Sequence, residues 1–111
     1  MSVRPPPIAA LLGKGARYSG EMSFDGRVRV DGTFNGRIFT DDVLEIGESG
    51  VVDGQIDAAT LIVAGVAKGD IHARDRLVLQ PTGLVEGQVD ARILEVWAGG
   101  RLHAQVRAGE R

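Results

Sequence analysis

Gly50-Val51-Val52-Asp53-Gly54-Gln55-Ile56-Asp57-Ala58 recurs almost unchanged as Gly83-Leu84-Val85-Glu86-Gly87-Gln88-Val89-Asp90-Ala91. The shared template is G-x-φ-x-G-x-φ-x-A, with φ an apolar residue. Looser copies begin at Gly32 (Phe34, Gly36, Ile38, Thr40), Gly65 (Ala67, Gly69, Ile71, Ala73) and Gly100 (Leu102, Ala104, Val106, Ala108). A weaker copy runs from Ala16 through Tyr18, Gly20, Met22 and Phe24. Six copies in 111 residues define a repeat protein. Each unit of such a chain buries its apolar face only against its neighbours.

Between the copies stands a second alternating pair: Val28 and Val30, Leu44 and Ile46, Leu61 and Val63, Leu77 and Leu79, Leu94 and Val96. Their first members, at 28, 44, 61, 77 and 94, step by 16 or 17 residues. Alternation over such short runs marks half-buried strands rather than helices. The spacers vary in length, from Ala64 alone to Gln80-Pro81-Thr82, while the strands stay constant. Constant strands joined by variable corners describe a coil whose turns stack. At ~3.3 Å per extended residue such a turn has a perimeter of about 55 Å, which three corners fold into a slim triangle. Stacked ~4.8 Å apart, these turns make a rod roughly 29 Å long. The fold class expected is therefore all-β, a single parallel β-helix of triangular turns. Its inward set is Phe34, Ile38, Leu44, Ile46, Val52, Ile56, Leu61, Val63, Ile71, Leu77, Leu79, Val85, Val89, Leu94 and Val96.

Composition narrows the function. A formal charge of −2 and a pI near 5.6 leave no basic footprint for nucleic acid or an anionic membrane. Without cysteine there is no disulfide framework, thiolate nucleophile or cysteine-bound zinc, which suits a reducing cytosol. No apolar run approaches the ~20 residues of a membrane helix. Neither a G-x-x-x-x-G-K-[ST] loop nor a G-x-G-x-x-G is present, so no nucleotide cofactor is expected. The histidines, His72 and His103, fall in different outward columns, and neither catalytic nor metal residues are assigned.

The segment Val28-Arg29-Val30-Asp31-Gly32-Thr33-Phe34-Asn35-Gly36-Arg37-Ile38, with the glycine template that follows, resembles the bactofilin family of bacterial cytoskeletal proteins. The resemblance covers about residues 16–108. It implies a right-handed β-helix that polymerises without nucleotide into non-polar filaments. It further implies a scaffold for cell-shape, wall-synthesis or positioning proteins, in the cytoplasm at the inner face of the membrane. The chief partner is then the chain itself, with wall-synthesis or positioning proteins and a weak peripheral membrane contact beside it. Two other classes stay open: a discrete β-helix binding module, and a hexapeptide-repeat acyltransferase, whose six-residue count Ile56, Ile62 and Lys68 break.

Residues 1–15, with Pro5-Pro6-Pro7 and Ile8-Ala9-Ala10-Leu11-Leu12, fall outside the template. They are expected to be a disordered tail, or an anchor to membrane or partner through Ile8, Leu11 and Leu12. Residues 16–108 form the repeat domain and 109–111 a short tail, with no amphipathic helix to cap either end. Uncapped ends expose a row of unpaired backbone groups over a slice of core. Polymer contacts are therefore expected from Tyr18, Met22 and Phe24 at the N-terminal end, and from Leu94, Val96, Leu102 and Val106 at the C-terminal end. Among the outward residues, Asp53, Lys68, Glu86 and His103 form one column and Asp57, His72, Asp90 and Arg107 another. Their alternating signs keep like charges from stacking and oppose a slip of one turn. Val51, Val66 and Leu84, with Ile62 and Val78, are apolar although outward. They read either as β-propensity on an exposed sheet or as a lateral patch for bundling and partner capture.

Overall fold

A computed structural model describes residues 8–108, with side chains from Ala10 onward. The expectations for residues 1–7 and 109–111 lie outside the described residues. The chain forms β1 (Ile8–Leu12), β2 (Arg17–Phe24), β3 (Arg27–Val30), β4 (Thr33–Thr40) and β5 (Val43–Ile46). It continues through β6 (Val51–Val63), β7 (Val66–Leu79), β8 (Leu84–Val96) and β9 (Arg101–Ala108), with no helix among the described residues. Every pairing is parallel, and each strand pairs with its equivalent one turn away. The result is a parallel β-solenoid of about six turns.

Each turn contains one short strand segment and one long one. The long segment breaks in its middle at the template's second glycine, which creates the third side of the triangle. Gly36, Gly54, Gly69 and Gly87 stand in register at this break with φ between 110° and 134°. A methyl group on Gly54 would sit 2.0 Å from the Gly36 carbonyl oxygen, so any side chain both strains the backbone and collides with the turn above. The corner after each short segment is closed differently. In the longer corners a backbone bond spans the turn, as from Gly50 N–H to Gly47 O at 2.8 Å and from Gly83 N–H to Gln80 O at 2.9 Å.

The core is a file of stacked apolar layers. Val28, Val30, Phe34, Ile38, Leu44, Ile46, Val52, Leu61, Val63, Leu77, Leu79 and Val85 have no solvent exposure. Alternation explains the packing, since every second side chain of a strand points inward. Each such side chain contributes ~1.5–3 kcal/mol of hydrophobic stabilisation before entropy is subtracted.

Two expectations need correction. Residues 8–12 are a strand and not a tail: β1 pairs with β3, setting Ala10 against Val28 and Leu12 against Val30, and Leu12 is buried in the core. The repeat thus starts before residue 16. The second correction concerns Leu94 and Val96, assigned to the interior. Leu94 is only half-buried and Val96 is 46% exposed, because among the described residues no turn stacks beneath β8's last segment.

Candidate assembly interfaces

At the N-terminal end β2 pairs with β4 alone and β1 with β3 alone, so each leaves one edge without a ladder partner among the described residues. Tyr18 and Met22 sit over Phe34 and Ile38, half-buried against the core, and Phe24 packs beside them. Gly20 continues the glycine column at φ 115°, yet a methyl group there would meet nothing within 4 Å. The space that the turn above fills at every other glycine of this column is open at Gly20. Of the anchor residues expected from sequence, Leu12 belongs to the core and Leu11 is 59% exposed; the Ile8 side chain lies outside the described residues.

At the C-terminal end β9 pairs with β8, setting Leu102 under Val85 and Val106 under Val89. Val106 is 40% exposed, Val96 is exposed as well, and Leu94 is half-buried. The structure adds Trp97, 47% exposed on the last corner, its indole N–H donating to Glu95 Oε1 at 2.9 Å. It stands in the spacer between Val96 and the Gly100 copy of the template, where apolar alternation gives no signal for it. Ala104 takes the glycine position here without a positive φ, while β9 stays in unbroken register with β8 through it.

The sides of the rod carry the expected columns in the expected register. Asp53, Lys68, Glu86 and His103 align, as do Asp57, His72, Asp90 and Arg107. Lys68 Nζ lies 3.7 Å from Glu86 and His72 Nδ1 lies 3.8 Å from Asp90. Between the row Arg37, Gln55, Asp70, Gln88, Gln105 and the Asp57 row lies a shallow groove of about 780 Å³. Inside it Arg37 Nε donates to Gln55 at 2.6 Å, and Arg74, from outside the groove, reaches Asp57 at 2.9 Å. No group of three His, Cys, Asp or Glu able to hold a metal exists among the described residues.

Val51, Val66 and Leu84 form one column and Ile62 and Val78 another, all half-buried, on strands flanking a common corner. Above them stands a polar cluster. Arg29 donates to Asp31 at 2.9 Å and to Glu45 at 3.2 Å, and Arg27 donates to Glu45 at 3.0 Å. The hydrogen bond to Asp31 holds the Arg29 pKa above its ordinary value, against the opposing effect of burial.

Among the described residues this coil ends on both sides in bare strand edges over partly exposed core, which suits a unit that stacks. It defines the class of polymer-forming β-solenoids. Comparison with known proteins agrees: residues 10–107 match the family model Bactofilin, described as polymer-forming cytoskeletal, and the chain belongs to that family. Two solved structures resemble it. One is the cryo-EM reconstruction of Thermus thermophilus bactofilin double helical filaments, with 33% identity, 90% of this chain and 99% of that chain covered, and a TM-score of 0.85. The other is a crystal structure of a point mutant of Thermus thermophilus bactofilin, with 32% identity, coverage of 80% and 99%, and a TM-score of 0.76. No curated protein matches.

Proposed function

We propose that this chain assembles without nucleotide into non-polar filaments through end-to-end contacts of its solenoid. The filaments serve as a non-catalytic scaffold for cell-shape, wall-synthesis or positioning proteins at the cytoplasmic face of the membrane. The observation that carries this reading is the pair of open ends. Tyr18, Met22 and Phe24 cover one incompletely, and Leu94, Val96, Leu102 and Val106 leave the other partly bare. Stacking a second copy on either end buries these side chains and completes a β-ladder, which favours association.

One feature favours like-with-like junctions over head-to-tail ones. A head-to-tail junction in register would set Arg101 against Arg17, the two termini of one column. A two-fold junction never brings the Arg17 end onto the Arg101 end, and its facing strands run antiparallel, so this contact does not arise. As in the double helical filaments of the Thermus thermophilus relative, two such filaments are expected to run side by side. Negative-stain electron microscopy of the purified, nucleotide-free protein tests the assembly. Filaments are expected, and uniformly monomeric particles would overturn it.

A further inference from the structure

We infer that the corner ridge bearing Val66, Leu84, Ile62 and Val78 is the face through which a filament of this chain meets a second one. The inference rests on the filament reading above and adds which side of the rod is used. The occupant is a second copy of this chain, because a paired filament needs a contact repeated on each subunit, and only the subunit itself recurs at that spacing.

The outward columns single out this side. Val51, Val66 and Leu84 are apolar through three successive turns, and Ile62 and Val78 through two. The other outward columns carry a charge inside those turns: Lys68, Asp70, His72 with Asp90, or Arg76. Bringing any of those against a neighbour would desolvate charges. Ile62 and Val78 meet charge only at the two ends of their column, where Glu45 and Glu95 are already held by Arg27, Arg29 and Arg76. The corner between the apolar columns is also quiet. At Ala64-Gly65 the corner is only two residues long, and the Ala64 carbonyl accepts from Thr82 Oγ1 at 2.7 Å. Ser49 Oγ likewise folds back on the Asp31 carbonyl at 2.9 Å.

The patch is too small to act alone. A stable pair of proteins covers roughly 800 Å² on each partner, more than five half-buried side chains supply. Repetition along two filaments multiplies the weak contact into a firm one. Free subunits should accordingly show no lateral dimer, while filaments pair.

The test compares the wild-type protein with Val66→Glu, Leu84→Glu by electron microscopy. Paired filaments are expected from the wild type and single filaments of similar length from the variant. Pairs that persist in the variant, or wild-type filaments that are always single, overturn the choice of face; a wild type without filaments overturns the assembly reading beneath it. The absence of native cysteine gives a second measurement. In a Val66→Cys variant, maleimide labelling should slow at least five-fold on assembly, whereas Gln88→Cys should label unchanged. Equal labelling of the two in filaments also refutes the assignment.

Discussion

Arg74 reaches back over a whole intervening turn to Thr40: its Nη2 donates to the Thr40 carbonyl at 2.9 Å, 34 residues earlier in the chain. On the way Nη1 meets Asp57 at 2.9 Å, and the guanidinium lies 5.1 Å from the centre of the Phe39 ring. One side chain therefore ties three successive turns at the corner where the ladder slips register, between Ala58 and Thr60 and between Ala73 and Arg76. The planar fork of arginine permits this combination, and a lysine ammonium would satisfy only part of it. Arg74→Ala is expected to lower stability by about 1 kcal/mol in urea denaturation, with Arg74→Lys between the two. Lys68→Ala, which removes one exposed ion pair, should stay within about 0.5 kcal/mol of wild type.

The glycine column offers a contrast between two substitutions of identical chemistry. Gly54→Ala combines a φ of 134° with a methyl group 2.0 Å from a carbonyl oxygen, and should cost on the order of 3 kcal/mol or more. Gly20→Ala bears only the strain of its φ, roughly 1–2 kcal/mol, since its methyl group meets open space. Thermal unfolding separates the two. In the proposed assembly the next copy stacks in that open space, so Gly20→Ala should fold yet slow filament growth, which light scattering reads. Normal growth would mean that nothing docks above β2.

The first strand is tested by two neighbouring leucines. Leu12→Ala removes a buried side chain and is expected to cost about 2–4 kcal/mol. Leu11→Ala, at 59% exposure, should change stability by less than about 0.5 kcal/mol. Circular dichroism melts of both variants decide whether β1 belongs to the solenoid. Equal, small effects would return residues 8–12 to a tail.

Blocking one end distinguishes the two kinds of polymer. Leu102→Arg or Val106→Arg should yield folded dimers joined through their N-terminal turns, and Met22→Arg dimers joined through the C-terminal ones. The double variant should be monomeric. In a head-to-tail polymer either single variant would give monomers, because each removes the one type of junction. Analytical ultracentrifugation, after circular dichroism has confirmed retained β-structure, reads the difference.

Periodicity in this chain is a local property, and it was legible for that reason. Val52, Ile56, Leu61 and Val63 recur as Val85, Val89, Leu94 and Val96 because every turn solves the same packing problem, so strands, faces and charge columns could be assigned from spacing alone. Tertiary structure decided whatever depends on what lies above or below a turn. Leu94 and Val96 repeat the pattern of buried residues, yet they are not enclosed, since among the described residues no further turn stacks on theirs. Ala10 and Leu12 precede their partners Val28 and Val30 by 18 residues, a spacing close to the repeat, but no glycine template marks them; only the ladder to β3 reveals the strand. Arg74 looks like any corner charge until the short corner at Ala59 brings Thr40 within its reach. Alternation fixes which way a side chain points, whereas enclosure and reach are set by the stack.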